Sequence, residues 1–338
     1  MILVTGATGL VGSHLLLLLL EKGEDVRALY NSPQNKKRTE AFFTWKNKTS
    51  LFGKINWFHA DINDIPALET AFENIKYVYH CAAHISFDPK DEEKLRKVNI
   101  EGTANIVNFC IARNIKKLCH VSSIAALGDL APKTAGSETQ AAQSIDEETE
   151  WNPEKPHSDY AISKYGAEME VWRGQQEGLS TVIVNPGIIF GPGFWDSGGC
   201  LIFRTIQKGL SFYTKGSAGF VTADDVASIM ARLMESPIEK ERFVLVAANI
   251  SFEKLFSAVA ATLNKPKPSF YLHPLATSIA WRLDWLVSKI FFRRRSLSRD
   301  AAKALHAQDI FGNAKIKNAL KYEFESIESY IEATKTSY

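Results

Sequence analysis

Short apolar runs alternate with amphipathic stretches along the first two-thirds of the chain. Runs rich in β-branched residues predict strands over residues 2–5, 25–30, 56–59, 77–81, 118–122, 181–185 and 242–246. Apolar positions at helical spacing predict helices over residues 13–22, 66–73, 94–113 and 160–176. Apolar strands separated by helices are typical of an α/β fold with a doubly wound parallel sheet that is covered on both faces.

A glycine-rich turn joins the first predicted strand to the first helix. It runs Gly6-Ala7-Thr8-Gly9-Leu10-Val11-Gly12. In such a turn the first glycine permits a tight bend, the second lets the backbone approach a pyrophosphate, and the third lets helix and strand pack closely. The strand before the turn and the helix after it therefore predict a Rossmann-type dinucleotide site. Its expected cofactor contacts are Gly6, Thr8, Gly9, Leu10, Val11 and Gly12.

The pattern changes after Pro186. Glycines crowd residues 187–199, which predicts a loop-rich pocket wall, and the chain from residue 251 onward is mostly helical. We therefore expect a dinucleotide-binding domain of residues 1–186 and 221–248. A smaller, discontinuous, C-terminal substrate domain would comprise residues 187–220 and 249–338.

The composition is that of an ordinary globular protein. Of 338 residues, 45% are hydrophobic and 23% are charged, and the formal net charge is +2. This charge is too small to argue for a nucleic-acid partner, and we expect none. The cysteines at positions 81, 110, 119 and 200 show no paired spacing. We therefore predict free thiols, no metal site and a reducing, cytoplasmic location.

The end of the second predicted strand bears on the choice of cofactor. An NAD site usually has a carboxylate there, which binds the ribose hydroxyls of adenosine. This chain instead has Tyr30-Asn31-Ser32, followed by Lys36-Lys37-Arg38. We therefore favour NADP over NAD and assign Tyr30, Asn31, Lys36 and Arg38 to the cofactor site. The alternative is that residues 36–38 are only a solvated basic run.

Two residues after the third predicted strand are candidates for contact with the adenine ring of the cofactor. Asp61 and Ile62 follow the third predicted strand, where they could contact the adenine. An Asp-x-x-Asp turn that starts the next helix explains the same residues equally well. Both interpretations stay open at this point.

Tyr160 and Lys164 lie one turn apart at the start of a predicted helix. A free tyrosine has a pKa near 10, and a neighbouring cation and an oxidised nicotinamide would both stabilise its phenolate. A shift of about three pKa units, roughly 4 kcal/mol, would bring Tyr160 to working pH as an acid/base. Lys164 is also long enough to hydrogen-bond the nicotinamide ribose. The strand end Val121-Ser122-Ser123 supplies a hydroxyl that orients a substrate carbonyl.

With these segments the chain resembles the extended short-chain dehydrogenase/reductase family over essentially its whole length. Tyr79-His80-Cys81-Ala82-Ala83, Val98-Asn99-Ile100-Glu101-Gly102-Thr103, Asn185-Pro186-Gly187 and residues 221–227 also match. The resemblance implies that Ser123 is the catalytic serine, Tyr160 the acid/base, and Lys164 a ribose anchor that lowers the pKa of Tyr160. Asn99 would match the asparagine near the proton relay, or would be a helix-bending, backbone-bonding residue. Cys81, Ala82 and Ala83 would line the cofactor, and Pro186, Gly187 and Ile188 would meet the nicotinamide amide.

Within that family, the chain is most similar to the dihydroflavonol-reductase-like branch, which borders the 3β-hydroxysteroid dehydrogenases. Residues 146–153 and Gly191-Pro192-Gly193 carry this similarity. It implies reversible hydride transfer between NADPH and a small-molecule ketone or aldehyde. Nucleotide-sugar epimerases and dehydratases are an alternative, although the Arg-Asp that typically precedes their Phe-Val segment is absent from residues 215–219. A third hypothesis is a non-catalytic NADP-binding sensor, which would not need the intact Ser123, Tyr160 and Lys164.

The substrate pocket is expected beside residues 84–87, 129–157 and 193–195. Its candidate contacts are His84, Phe87, Phe194 and Trp195. The family resemblance also implies a homodimer that pairs through the helices at 94–113 and 160–176.

Residues 272–295 combine apolar and tryptophan side chains with Arg293-Arg294-Arg295. The segment could make a weak, peripheral contact with an anionic membrane, with the arginines at the head groups. Alternatively, it is a substrate-domain helix whose apolar side packs on the pocket, and we favour this interpretation. Charged residues at 282, 284 and 289 exclude a comfortable membrane span.

Overall fold

A computed structural model describes residues 1–130, 144–195, 198–291, 293–295 and 297–334. Its strands are β1 (Ile2–Thr5), β2 (Val26–Tyr30), β3 (Asn56–His59), β4 (Tyr77–His80), β5 (Lys117–Val121), β6 (Thr181–Pro186), β7 (Ile188–Phe190), β8 (Phe212–Tyr213), β9 (Ser217–Thr222), β10 (Glu241–Leu245), β11 (Ala248–Ser251) and β12 (Phe270–Tyr271). Its α-helices are α1 (Leu10–Glu21), α2 (Pro33–Trp45), α3 (Thr49–Phe52), α4 (Ile65–Ala71), α5 (Glu92–Leu95), α6 (Gly102–Ala112), α7 (Asp159–Gln176), α8 (Leu201–Gln207), α9 (Ala223–Glu235), α10 (Phe252–Thr262), α11 (Pro274–Ile290), α12 (Arg299–Ala304), α13 (Ala314–Leu320) and α14 (Ile327–Ala333).

Seven of the described strands form one sheet in the order β10-β6-β5-β4-β1-β2-β3. Every neighbouring pair in this sheet is parallel. The strand order reverses at β1, which has β2 on one side and β4 on the other. The carboxyl ends of β1 and β4 therefore border the crevice where sheets of this type bind ligands. The α/β fold with a Rossmann-type, doubly wound sheet is confirmed.

Helices cover both faces of this sheet, and each face has its own apolar core. On one face, α1 packs against α9, with Leu15, Leu16 and Met230 in the core. On the other face, α6 and α7 contribute residues such as Ile106 and Val171. Because α1 is buried along most of its length, its leucines extend around the whole helix instead of forming one stripe. The predicted free thiols are also confirmed, since all four cysteines are unpaired.

A second, three-stranded sheet adjoins the large one. β9 pairs in parallel with β7 and antiparallel with β11. A separate core that includes Phe190, Phe203 and Phe220 lies against it. Gly187 is the only residue between β6 and β7, so the chain passes directly from the large sheet into the small one. The domain boundaries that we expect from the sequence stay a prediction.

Two local features differ from the sequence-based expectation. The helix expected over residues 94–113 is divided, because a π-helical segment (Arg96–Glu101) separates α5 from α6. In addition, α2 was not predicted. Ser32 caps α2 by accepting a hydrogen bond from the Asn35 N–H, and Pro33 occupies the first helical position.

The favoured interpretation of residues 272–295 is wrong. The aliphatic side chains of α11 lie on its exposed side, whereas Thr277 and Ser288 are buried against the protein. The apolar side of this helix therefore does not pack on the pocket. Among the described residues, no helix has the length and hydropathy that crossing a membrane requires.

Candidate active site

The turn between β1 and α1 is shaped by close backbone contacts. Gly6 has a φ of +62°, and a Cβ there would lie 2.5 Å from the backbone nitrogen of Ala82. A Cβ at Gly12 would lie 2.2 Å from the carbonyl oxygen of Gly6. Gly9, by contrast, is exposed, and a Cβ there would meet only the Gly6 oxygen, at 3.3 Å. The turn is therefore tightly packed on its inner side and open at Gly9.

The N-terminus of α1 lies at the open side of this turn. Gly9 is its N-cap, no side chain caps the helix, and its first turn contains no acidic residue. The first backbone N–H groups of the helix are therefore left for another acceptor, and the helix dipole makes this end positive. Such an end binds a pyrophosphate. These residues fit a dinucleotide cofactor.

Other predicted cofactor residues lie at the same edge of the sheet. The Ala82 N–H donates to the Thr5 hydroxyl at 3.3 Å, which ties the end of β4 to the end of β1. Ala83 is exposed, while Cys81, Gly187 and Ile188 are half-buried and Pro186 is buried. Within the glycine turn, Thr8 and Val11 are buried and Leu10 is half-buried.

The basic residues after β2 are directed to different neighbours. The Lys36 ammonium lies 5.1 Å from the ring centroid of Tyr30, which ends β2, and Asn31 beside it is exposed. The Arg38 guanidinium instead lies 5.8 Å from the ring centroid of Phe194. The structure therefore brings Lys36, but not Arg38, into contact with Tyr30.

Asp61 and Ile62 have local structural partners. The Asp61 carboxylate accepts the Asn63 N–H at 2.9 Å, and Asp64 caps α4. Ile62 is buried, and its side chain occupies the space above Gly102, where a Cβ would lie 2.4 Å from it. The alternative interpretation, an Asp-x-x-Asp turn, is present, and contact of Asp61 and Ile62 with adenine stays a prediction.

Tyr160 lies in the first turn of α7, next to Ser123. Ser158 caps the helix by accepting the Ala161 N–H at 3.2 Å, which sets the position of this turn. Burial raises the pKa of Tyr160, and a side-chain hydrogen bond with Ser123 opposes the rise. The net direction in this arrangement is upward, and a lowering of the Tyr160 pKa by Lys164 and an oxidised nicotinamide stays a prediction.

The ammonium group of Lys164 is hydrogen-bonded at the carboxyl end of β5. It donates a hydrogen bond to the Val121 carbonyl oxygen at 2.8 Å, and the residue is 1% exposed. Burial lowers the pKa of Lys164 to about 8, an effect that Glu168 opposes. The amine is thus fixed at the carboxyl end of β5, beside Ser122 and Ser123.

A buried polar network behind these residues was not predicted. Glu168 lies one turn after Lys164 and is fully buried. Its carboxylate accepts a hydrogen bond from Asn185 at 2.5 Å and pairs with Arg242 at 3.3 Å. Asn185 also donates to the Ser123 carbonyl oxygen at 2.9 Å, so the network holds the Ser123 backbone in place. The signal in the sequence was a carboxylate four residues after Lys164 on the same helix face.

Asn99 connects the π segment to the chain around His84. Its side-chain oxygen accepts the His84 N–H at 2.7 Å, and its amide nitrogen donates to the His84 carbonyl oxygen at 2.9 Å. The same nitrogen donates to the Ser163 hydroxyl at 2.8 Å. Asn99 therefore positions the backbone of residue 84 against α7. A contribution to a proton relay stays a prediction.

A cavity of about 280 Å³ lies one side chain away from Tyr160, which does not itself line it. It is lined by Ser86, Phe87, Asp88, Arg294, Arg295, Ser298 and Ala301. The Phe87 ring centroid lies 5.5 Å from that of Tyr160, which links the cavity to the candidate acid/base. Burial and the nearby Lys94 lower the pKa of His84, whose ring lies 3.7 Å from Asp91 beside this cavity.

Three of the four predicted pocket residues, His84, Phe194 and Trp195, do not line this cavity. Phe194 is 2% exposed and packs 6.1 Å from Phe42 in the core that holds α1. Trp195 is half-buried against Phe203, at 5.7 Å between ring centroids. Of the wall expected over residues 129–157, positions 131–143 lie outside the described residues.

Known proteins are similar to this chain in sequence. The family model for the NAD dependent epimerase/dehydratase family matches residues 2–247. A putative dihydroflavonol 4-reductase of Synechocystis sp. is 30% identical over 322 residues, covering 92% of this chain and 86% of the relative. Sterol demethylase protein B of Methylococcus capsulatus is 27% identical over 297 residues, covering 86% of this chain and 84% of the relative.

A solved structure extends this likeness to the fold. The crystal structure of gox2253 superposes with a TM-score of 0.78 at 25% identity, covering 98% of this chain and 95% of the other. The expected resemblance to extended short-chain dehydrogenases/reductases is confirmed, and with it a nicotinamide dinucleotide, NAD or NADP, as the cofactor. With most of its length matched by one family model, the chain belongs to the NAD dependent epimerase/dehydratase family.

Proposed function

We propose that this protein is an NADP-dependent carbonyl reductase that interconverts a ketone or aldehyde and its alcohol. The observation that carries the proposal is the position of Tyr160. Its side chain lies beside Ser123, whose hydroxyl opposes the rise in the Tyr160 pKa, and it contacts Phe87, which lines the cavity. A carbonyl group that enters from the cavity would thus meet two hydroxyls at the edge where the dinucleotide binds.

The roles of the chain's own residues follow from their chemistry. Ser123 orients the substrate carbonyl, and Tyr160 donates its hydroxyl proton to the carbonyl oxygen during reduction and takes it back during oxidation. The raised pKa keeps the Tyr160 hydroxyl protonated at neutral pH but makes it a weaker acid, so efficient proton transfer requires the positive charges of Lys164 and an oxidised nicotinamide to lower this pKa. Lys164 would anchor the nicotinamide ribose from its place beside Val121. The cofactor, when bound, supplies or accepts the hydride at the carbonyl carbon.

A feature of β9 favours reduction over nucleotide-sugar epimerisation. The Arg-Asp pair typical of the epimerases would fall just before Phe220, where this chain has Ala218 and Gly219. A Cβ at Gly219 would lie 2.7 Å from a methyl group of Val246, so a larger residue there would force a rearrangement. The packing of β9 against Val246 thus matches a substrate other than a nucleotide sugar.

Choice of NADP rests on Lys36 and the end of β2. Tyr30 stands where an NAD site usually has its carboxylate, and Lys36 is the cation in contact with its ring. A cation at this place is compatible with the additional phosphate of NADP.

The test is a panel of aldehydes and ketones assayed with NADPH and with NADH. We expect net consumption of NADPH by some members of the panel. Tyr160→Phe removes the transferable proton and should lower kcat by at least about 100-fold while the affinity for NADPH, measured by fluorescence titration, stays nearly unchanged.

Tyr165→Phe is the matched control, because Tyr165 lies on the same helix but stacks on Trp151 at 4.4 Å. It should retain activity. Full activity in Tyr160→Phe would overturn the assigned role. Turnover of nucleotide sugars with no net change in NADPH would replace the reductase by an epimerase.

A further inference from the structure

The aliphatic residues of helix α11 lie on its solvent-exposed side, whereas a helix that packs on a protein core usually buries them. Leu275, Ile279, Leu283, Leu286 and Ile290 are 47–70% exposed. At about 100° per residue these positions fall within an arc of about 80°, so they form one continuous stripe along the helix, called here the α11 stripe.

The opposite side of the helix is polar and attached to the protein. Thr277 and Ser288 are 2% and 3% exposed. The Thr277 hydroxyl hydrogen-bonds His306 at 2.9 Å, and Asp284 pairs with Arg293 at 2.6 Å and accepts the Leu297 N–H at 3.2 Å. The helix is thus held by its polar face, and its apolar face is turned outward. Large exposed apolar patches mark sites of interaction with a partner or a membrane.

Cations border the α11 stripe. Arg282 and Lys289 fall at about 20° and 40° from one edge of it. Their charged groups lie over Trp281 and Trp285, at 4.5 and 4.6 Å from the ring centroids. The one acid of the helix, Asp284, lies on the opposite, protein-facing side. The outward face therefore combines aliphatic side chains with positive charge only.

We propose that α11 docks in the plane of an anionic lipid membrane, with the stripe at the acyl boundary and the cations at the head groups. Aliphatic residues beside lysine, arginine and tryptophan are the pattern of interfacial helices. A second copy of this chain fits the surface less well, because it would present the same cations and no opposite charge to pair with them. The polar face remains bound to residues 297–306, so the helix lies on the membrane while attached to the fold.

Docking there would place the candidate active site near the membrane surface. Arg294 and Arg295, which follow α11 closely, line the cavity together with Phe87. The cavity would therefore open beside the lipid and receive apolar carbonyl compounds from it. This consequence rests on the proposed function, whereas membrane docking itself does not.

Vesicle flotation of the full chain tests the proposal. The probes are vesicles of phosphatidylcholine alone and of phosphatidylcholine mixed with phosphatidylglycerol. We expect the protein to float with the mixed vesicles and less with phosphatidylcholine alone. The double variant Ile279→Glu/Leu286→Glu should lower partitioning by at least about 100-fold, because two aliphatic side chains no longer enter the lipid. Arg282→Glu/Lys289→Glu should remove the preference for the anionic vesicles, a loss of at least about tenfold.

The matched control is Leu201→Glu/Ile310→Glu, which makes the same change at two exposed residues away from α11. It should float like the wild type, and thermal unfolding should show that all variants are folded. The proposal is overturned if the wild type does not float, or if the stripe variant floats equally well. It is also overturned if the stripe variant abolishes self-association in sedimentation experiments and the wild type ignores vesicles, since the occupant is then a second copy. Carbonyl reduction of a water-soluble substrate should be unaffected by the stripe variant, which separates this test from that of the proposed function.

Discussion

Lys164 is a cation held in the interior, and its burial works against folding. The lowered pKa means that the folded state releases the Lys164 proton at about pH 8, whereas the unfolded state holds this proton up to about pH 10.4. Below about pH 8 both states are protonated, so the folded protein bears the full cost of the buried charge. Between about pH 8 and 10.4 only the unfolded state retains the proton, so this cost disappears as the pH rises.

Replacing Lys164 should therefore stabilise the protein and impair its function. At pH 7 we expect Lys164→Met to raise the free energy of unfolding by on the order of 3 kcal/mol, less the lost hydrogen bond to Val121. The gain should shrink as the pH rises from 8 to 10.4, while cofactor affinity and kcat both fall. Denaturant unfolding across this pH range provides the measurement. A destabilised variant at pH 7 would contradict the argument.

The roles of Tyr160, Ser123 and Lys164 could be proposed from the sequence, but their electrostatics could not. Spacing along a helix put Tyr160 and Lys164 on one face, and the strand end put Ser123 beside them. Burial sets the direction of both pKa shifts, and the Val121 carbonyl fixes the Lys164 ammonium; both depend on packing that spacing along the chain does not contain. Glu168 was missed for the same reason, because its partners Asn185 and Arg242 come from other strands.

At the scale of elements, the glycine turn contains one glycine that is needed mainly for packing, Gly12, and one that is expected to matter mainly for cofactor binding, Gly9. Gly12→Ala should destabilise the protein by about 1–3 kcal/mol, because its Cβ would be forced onto the Gly6 carbonyl oxygen. Gly9→Ala should cost less than about 1 kcal/mol, since its Cβ makes one tolerable contact, but it should weaken cofactor binding by partly filling the open side of the turn. Thermal unfolding and NADPH titration of the pair would distinguish these effects. Equal losses of stability would contradict the assignment.

Element boundaries show where local signals were sufficient. Strand β1 and helix α7 appeared within a few residues of their predicted positions, because burial and a serine cap mark their limits. Helix α2 has the same kind of signal, Ser32 followed by Pro33, but the cations at positions 36–38 were interpreted only as cofactor contacts or a solvated basic run, and no helix was predicted. The face of α11 that is buried could not be predicted from the sequence, because the pattern of an amphipathic helix is the same whichever face it buries.

For the whole molecule, the sheet order places the cofactor across the point where β1 separates β2 from β4. A dinucleotide that binds there binds the folded state and not the unfolded state. It should therefore raise the free energy of unfolding by RT ln(1 + [L]/Kd), where [L] is the free dinucleotide concentration, which is about 2.7 kcal/mol when [L] is a hundred times Kd. At equal concentrations we expect NADPH to raise the melting temperature more than NADH does. Lys36→Ala should reduce this difference, and Lys37→Ala, an exposed neighbour, should leave it unchanged. Equal stabilisation by the two cofactors would remove the argument for NADP.

The π segment Arg96–Glu101 has a consequence for how this protein can vary. Its wider turn accommodates one residue more than an α-helix would, and Asn99 reaches the His84 backbone from within it. A deletion of one residue here would restore a regular helix with little rotation of the residues beyond it, but it would displace Asn99 from the His84 backbone. Homologous chains should consequently tolerate substitutions at the exposed positions of this segment and resist insertions or deletions, because the residue number itself keeps Asn99 in register with α7.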